Sequence, residues 1–309
     1  MKLHAPSLPC RLILLLSCVA PLARAADGDL LHSETIRFSA EAQAKMTERQ
    51  PDAATIFADV EVQRIVYEVD GLKVTGYLAK PKAAGDYPCL VWNRGGNREF
   101  GAWNDRTAAL ILGRAASWGY VVIATQYRGN AGGEGREDFG GDDVNDVLAL
   151  LRTLEQVPGA DATRVGLYGQ SRGGMMAYLA LTRTDRFAAA VIDAGMADLA
   201  DSVARRPDME RVAAELIPEW ATDRAAAIES RSAVRWAEKI SATTPVLLLH
   251  GTADDRVDVS QAQGMAAALA AAGRAHELVL FEGGDHALTR HRPEADERIR
   301  AWFEARLRR

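Results

Sequence analysis

The chain has 309 residues, of which 48% are hydrophobic and 26% charged, and its formal net charge is −5 at pH 7. This length is enough for one large domain built of helices and strands. The acidic balance argues against nucleic acid and anionic membrane surfaces as partners.

Residues 1–25 have the three parts of a secretory signal peptide. Lys2 and Arg11 precede a short apolar run, and Ala23-Arg24-Ala25 has the small-x-small form of a cleavage site. We expect cleavage near Ala25 and export to the periplasm or the extracellular space. No stable membrane association is expected afterwards, because the run is too short to span a bilayer. The alternatives are an uncleaved N-terminal anchor and lipidation at Cys18.

Cleavage would change the charge and the cysteine content of the chain. It removes three basic residues and no acidic one, which leaves 34 basic against 42 acidic residues and a net charge of −8. Cys89 would be the one remaining cysteine, so the mature chain cannot form an internal disulfide and its stability must come from its core.

The remaining residues predict one domain with alternating strands and helices. Residues 26–60 are polar with a helical tendency and carry no catalytic motif, and residues 61–309 form the predicted catalytic domain. It opens with a β-hairpin that turns at Asp70-Gly71. Beyond it the alternation is typical of a mostly parallel sheet with helices on both faces. The predicted strands cover residues 88–93, 119–126, 163–169, 188–193, 244–250 and 276–282, and the helices 104–117, 142–156, 172–184, 258–272 and 293–307, with Asp142, Asp143 and Asp258 as acidic N-caps.

A long segment interrupts this alternation between the strands that end at Asp193 and begin near Pro245. The part from 202 to 239 is helix-prone and longer than a simple crossover connection. Insertions at this place lie over the carboxyl ends of the strands, where ligands bind. We interpret residues 202–239 as a helical lid, with ordinary packing against the side of the domain as the alternative.

The most informative motif is Gly169-Gln-Ser171-Arg-Gly173, which lies between a predicted strand and a predicted helix. In that context the pentapeptide G-x-S-x-G forms a nucleophile elbow and exposes the serine hydroxyl. Asp254 and His286 each follow a later strand, and the order Ser, Asp, His is that of an α/β-hydrolase. We therefore predict a catalytic triad of Ser171, Asp254 and His286. Asp193 and Asp255 remain alternatives for the acid.

The predicted oxyanion hole needs two hydrogen-bond donors. One is the backbone N–H of Arg172, directly after the nucleophile. The second should come from Arg94 or Gly95 in the glycine-containing loop after residues 88–93, and the sequence does not decide between them. The Arg172 side chain either recognises a substrate carboxylate or pairs with a nearby acid. His250, His286 and His291 lack metal-ligand spacing and the glycine-rich run 126–136 lacks a P-loop ending, so we expect neither metal nor cofactor.

Together these motifs resemble the catalytic domain of the prolyl oligopeptidase family of serine peptidases. The resemblance covers residues 60–309 and implies Asp254 as the catalytic acid. It also implies an α/β-hydrolase fold, and we expect no β-propeller here. The matching stretches are Tyr67–Gly71, Asn93–Gly96, Tyr127–Asn130, Phe139–Asp143, Gly169–Gly174, His250–Asp255 and Gly284–His286.

The sequence therefore favours a secreted serine hydrolase that forms an acyl-enzyme, acting as a peptidase on short peptides or other small molecules. A carboxylesterase with the same triad is the second hypothesis, because sequence does not show how well a leaving amine would be protonated. A non-catalytic binding protein on a hydrolase fold is the third. Glu215 and Glu219 in the predicted lid are available to bind a substrate amino group. The sequence does not constrain the oligomeric state.

Overall fold

The structure, a computed structural model, describes residues 1–2 and 25–308. The predicted signal peptide therefore lies almost wholly outside the described residues. Within those residues, no helix has the length and apolar character needed to cross a membrane.

A nine-stranded sheet runs through the middle of the described chain, in the order β1-β2-β3-β5-β4-β6-β7-β8-β9. The first three strands are antiparallel to their neighbours, and the pairs from β5 to β9 are parallel. The mostly parallel sheet predicted from the alternation is confirmed. The strands are β1 (Leu30–Thr35), β2 (Val60–Val69), β3 (Leu72–Pro81), β4 (Tyr87–Asn93), β5 (Val121–Thr125), β6 (Ala160–Gln170), β7 (Phe187–Asp193), β8 (Val246–Gly251) and β9 (His276–Phe281).

Helices cover both faces of this sheet, and each face has its own apolar core. Helices α2, α3 and α10 pack on one face, and α4, α5 and α9 pack on the other. The α-helices are α1 (Ala40–Arg49), α2 (Ala53–Asp59), α3 (Asp105–Ser117), α4 (Val144–Leu154), α5 (Arg172–Leu181), α6 (Leu199–Arg205), α7 (Pro207–Leu216), α8 (Arg224–Ser230), α9 (Val259–Ala271) and α10 (Arg292–Leu307).

Two local predictions were only partly right. Residues 26–60 were expected to be helical, but they also contain β1, an edge strand that pairs with β2. Its sequence LLHSET is largely exposed, so it lacks the apolar alternation that marks a strand. Asp143 is the N-cap residue of α4 as predicted, but its side chain makes no capping hydrogen bond, whereas Asp258 accepts from Ser260 N–H at the start of α9.

Along the chain, helices α6, α7 and α8 follow β7 and precede β8. They lie at the carboxyl ends of the parallel strands. The helical segment begins at Leu199, slightly before the predicted start, and is followed by two short 3₁₀ turns. Residues of α7 and α8 join the apolar core on the face that α4, α5 and α9 cover.

Candidate active site

Ser171 occupies a strained turn between β6 and α5. Its backbone has φ +56° and ψ −123°, a conformation that L-residues rarely adopt. The turn is held by a hydrogen bond from Ser171 N–H to the Asp193 carbonyl (3.0 Å) and by one from Met196 N–H to the Ser171 carbonyl (3.1 Å). A Cβ atom on Gly169 would overlap the carbonyl of Gly173, so the close approach requires glycine. The elbow therefore presents the Ser171 side chain at the end of the sheet.

The Asp254 carboxylate lies in the turn after β8, and both of its oxygens are occupied. Oδ1 accepts from the backbone N–H groups of Arg256 (2.8 Å) and Val257 (3.0 Å). Oδ2 lies 2.8 Å from Nδ1 of His286, which makes the imidazole the donor on that side. The Asp254 side chain is fully buried, whereas 18% of the His286 side chain is exposed. The arrangement fixes the His286 ring and leaves its Nε2 free to exchange a proton.

His250 is a second imidazole beside the same carboxylate, and sequence reasoning missed this contact. Its Nε2 lies 2.8 Å from the Val257 carbonyl and 3.2 Å from Asp254 Oδ2. Since a carbonyl oxygen can only accept, Nε2 carries the proton. Burial raises the pKa of Asp254, but the hydrogen bonds from His250 and His286 outweigh it and the pKa falls below its usual value. Asp254 is therefore a carboxylate at neutral pH.

The other two candidates for the acid have different surroundings. Asp193 is fully buried, and its Oδ2 accepts from the Tyr168 hydroxyl (2.7 Å) and from Arg292 Nη1 (2.9 Å). Asp255 is exposed. Of these three aspartates, Asp254 is the one whose carboxylate contacts His286 in the described part of the chain.

The loop after β4 lies against Ser171. A Cβ atom on Gly95 would be 3.1 Å from Cβ and 3.7 Å from Oγ of Ser171. The Arg94 carbonyl accepts from the buried Tyr127 hydroxyl (3.0 Å). In a trans peptide the N–H of Gly95 points opposite to that carbonyl, away from Tyr127. Arg172 N–H is in the first turn of α5, where an amide has no intrahelical acceptor.

The Arg94 side chain organises this loop from beneath. Its guanidinium is buried and donates to four backbone carbonyls, those of Gly95 (3.2 Å), Arg98 (2.9 Å), Phe100 (3.2 Å) and Gln126 (2.8 Å). Burial, with a further contribution from the nearby Arg172 charge, lowers the pKa of Arg94 to about 10. Its guanidinium is thus committed to holding the backbone of the loop.

The Arg172 side chain pairs with nearby acids, which is one of the two roles that we predicted for it. It is 3% exposed, contacts Glu137 and lies 2.5 Å from Asp143 Oδ2. Its guanidinium also stacks on the rings of Tyr127 (4.6 Å) and Phe139 (4.7 Å). Burial raises the pKa of Asp143 to about 7, although the Arg172 charge works in the opposite direction. The Arg172 guanidinium is therefore engaged by carboxylates of the fold.

Two cavities open at Ser171. The larger has a volume of about 480 Å³ and is also lined by His286, Trp92, Trp103 and Trp118. The smaller, of about 60 Å³, is lined by residues from α6 and α7 as well as Arg172 and Met196. Ser171 therefore borders both cavities.

A family model described as "prolyl oligopeptidase family" matches residues 106–309, which is more than half of the chain. The chain belongs to the prolyl oligopeptidase family. It is thus a serine hydrolase of a peptidase family, and the resemblance read from its motifs is confirmed.

Three of the proteins to which this chain is similar are peptidases. An uncharacterized peptidase of Bacillus subtilis, YtmA, is 35% identical over 201 residues, which cover 65% of this chain and 76% of the relative. A puromycin-hydrolyzing peptidase of Mycobacterium tuberculosis superposes with a TM-score of 0.66 at 27% identity, over 79% of this chain and 39% of that one. A Pyrococcus horikoshii acylaminoacyl peptidase gives 0.70 at 24% identity, over 82% and 43%, and that likeness shows the fold alone. The chain spans less than half the length of these two solved structures.

Glu215 and Glu219, two acids of the segment between β7 and β8, already pair with other groups of the chain. Glu215 contacts Arg98, and its carbonyl accepts from Arg136. Glu219 lies 2.5 Å from Nη1 of Arg231. Since neither glutamate lines the two cavities described above, neither is placed to bind a substrate amino group.

Proposed function

We propose that this chain is a serine peptidase that cleaves short peptides through an acyl-enzyme on Ser171. His286 is the general base and Asp254 orients it. The observation that carries the proposal is the 2.8 Å hydrogen bond between Asp254 and His286, with His286 and the strained Ser171 lining one cavity. Membership of a peptidase family supports amide substrates.

In the first half of the reaction, Ser171 Oγ attacks the carbonyl carbon and its proton passes to Nε2 of His286. The buried Asp254 carboxylate stabilises the imidazolium that results. His286 then returns the proton to the leaving amine as the C–N bond breaks. In the second half, water attacks the acyl-enzyme by the same steps, and the acyl group is released as a carboxylic acid.

The oxyanion of this reaction would be bound by the amides of Arg172 and Gly95. The Gly95 N–H is favoured over that of Arg94 because its peptide carbonyl is held by Tyr127 on the buried side. That hydrogen bond turns the Gly95 N–H toward the opposite side, and Gly95 abuts Ser171.

Labelling with a fluorophosphonate tests the nucleophile directly. We expect wild-type protein to be labelled and Ser171→Ala to be unlabelled, with kcat lower by about 10⁶. Ser33→Ala on the exposed edge strand is the matched control and should label like wild type. Labelled Ser171→Ala, or a wild type that never labels, would contradict the proposal and favour a binding protein.

A second measurement separates peptidase from carboxylesterase. An amide and an ester with the same acyl group are compared under conditions where acylation limits the rate. Measurable amide turnover that disappears in Ser171→Ala supports the peptidase. Turnover of the ester alone would move the assignment to the carboxylesterase.

We also propose that the chain is exported and that α6, α7 and α8 act as a substrate-recognition cap. The signal-like residues 1–25 support export, and N-terminal sequencing of protein from the cell exterior or periplasm should begin close to Ala26. Ser202, Arg206 and Met209 support the cap, because they line the smaller cavity at Ser171. Met209→Ala should therefore alter selectivity for the acyl side of the substrate.

A further inference from the structure

The two cavities meet at the nucleophile but extend to different parts of the fold. Both are lined by Ser171, Gly96, Phe100 and Arg256. Beyond these shared residues, the smaller cavity continues toward α6 and α7, and the larger one toward α3 and the start of α10. A substrate bound across Ser171 would therefore place one side of its scissile bond in each cavity.

The position of His286, the general acid, decides which side of the scissile bond lies in which cavity. The leaving group must receive a proton from His286, so it departs on the side of the imidazole. His286 and Ala287 line the larger cavity and do not line the smaller one, where Arg172 and Met196 are found instead. The larger cavity is therefore on the leaving-group side.

The walls of the larger cavity are rich in aromatic surface. Trp92 and Tyr168 stack on each other with ring centroids 3.7 Å apart. Trp103, Trp118 and Ile111 add to the apolar lining. A volume of about 480 Å³ lies within the range of small-molecule pockets, and aromatic rings bind each other in offset or edge-to-face geometry.

Polar atoms in the same cavity have no protein partner. Asn93 is completely buried at the end of β4, and neither Nδ2 nor Oδ1 has a hydrogen-bond partner within residues 25–308. The same holds for Nε1 of Trp103 and Nη2 of Arg292. Buried polar groups are nearly always paired in a complete site. These atoms are therefore available to the hydrogen-bonding groups of a ligand in this aromatic cavity.

We propose that the larger cavity binds an aromatic residue that directly follows the scissile bond. This inference rests on the proposed function, since it needs an acyl-enzyme on Ser171. The ring would pack on the indoles of Trp103 and Trp118, and the polar atoms of the leaving peptide would meet Asn93. The cavity thus selects the leaving group and, in the reverse direction, the amine that attacks the acyl-enzyme.

Partitioning of the acyl-enzyme isolates this side of the site. The substrate is an N-acyl-alanine p-nitrophenyl ester, which acylates Ser171 and releases p-nitrophenol. An added amino acid amide then competes with water: its nitrogen attacks the acyl carbon, its proton passes to His286, and the bond to Ser171 Oγ breaks as that oxygen takes a proton back. We expect tryptophan amide to give at least about tenfold more aminolysis product per molar concentration than glycine amide, measured by chromatography.

Filling the cavity tests the location. Ile111 lines it and is 41% exposed on α3, so Ile111→Trp should occupy the space without disturbing the core. We expect the preference for tryptophan amide to fall to within about threefold of glycine amide. Leu280→Trp makes the same kind of change at an exposed position outside both cavities and should behave as wild type.

The outcomes separate the two proposals. A wild type that turns over the ester but partitions equally to both amides would overturn the aromatic cavity and leave the serine hydrolase intact. An aromatic preference that survives Ile111→Trp would place the ring elsewhere and also overturn it. A wild type that does not turn over the ester would overturn the proposed function and this inference together.

Discussion

Two neighbouring parallel strands, β7 and β8, each deliver a buried aspartate to the carboxyl end of the sheet. Asp193 is the last residue of β7, and Asp254 follows β8 by a short turn. Both side chains are fully buried, so burial alone does not distinguish them. Their partners do: Asp193 meets a guanidinium and a phenol, whereas Asp254 meets two imidazoles and two backbone amides. The comparison teaches that the surroundings of a carboxylate indicate its role better than its depth does.

The physical difference lies in what each carboxylate leaves available. The Arg292 cation lies against Asp193 Oδ2 and compensates its charge within the fold. Asp254 receives its compensation from hydrogen bonds, and one of them comes from His286, which can gain a proton. Only the second arrangement stabilises an imidazolium during a reaction.

The largest expected effect contrasts the two aspartates in catalysis. Asp254→Asn should lower kcat by about 10⁴, because an amide would hold His286 in the wrong tautomer. Asp193→Asn should lower kcat far less, because Asp193 contacts the nucleophile only through its backbone carbonyl. Steady-state kinetics on one ester substrate, with circular dichroism to show folding, provide the test. An equal or larger loss from Asp193→Asn would move the acid to β7.

The next largest effect concerns stability rather than catalysis, and here the change is made at Asp193. Asp193→Ala should lower the free energy of unfolding by about 1–3 kcal/mol, because the Tyr168 hydroxyl loses its buried acceptor and Arg292 keeps only Asp296 as a carboxylate partner. Urea denaturation gives the value. Replacing Arg292 by Leu in the same protein should recover part of the loss. If the double variant is less stable by the sum of both single losses, the pair is not coupled.

Sequence reasoning reached the fold and the contact between Asp254 and His286 because both have local signals. The strand–turn–helix context of Ser171 and the apolar runs before Asp254 and His286 are each contained within a few residues. The role of Asp193 lacked such a signal, because its partners Tyr168 and Arg292 are 25 and 99 residues away along the chain. The edge strand β1 was missed for a related reason: it is mostly exposed, so pairing rather than apolar pattern defines it.

The predicted acidic cap at Asp143 shows how a tertiary contact overrides a local preference. Aspartate at the start of a helix ordinarily accepts from the first backbone amides. Here its carboxylate accepts from Gly140 N–H (2.8 Å) and pairs with Arg172 below the nucleophile. The partner is 29 residues away, so a local pattern does not reveal it.

A smaller effect tests the second imidazole at the β8 end. His250→Phe keeps the ring but removes the hydrogen bond to Asp254, and kcat should fall about tenfold, because one bond to a charged group contributes roughly 1.5–3 kcal/mol. KM should stay within about twofold. His291→Phe makes the same substitution where the ring contacts only the Glu282 carbonyl among its hydrogen-bond partners, and its kcat should match wild type. Equal kcat in wild type and His250→Phe would show that His286 alone suffices.

The smallest effect is a pH dependence of stability that belongs to Asp254. Hydrogen bonds from His250 and His286 hold its pKa below the unfolded value of about 3.9. A carboxylate with a lowered pKa stabilises the fold fully above the unfolded pKa and loses that contribution as the pH falls through the folded one. The difference in unfolding free energy between wild type and Asp254→Asn should therefore shrink as the pH falls from about 4 to about 3. A difference that grows on acidification would mean that Asp254 binds its proton more readily in the folded state, and the hydrogen bonds at the β8 end would then not hold it as a carboxylate.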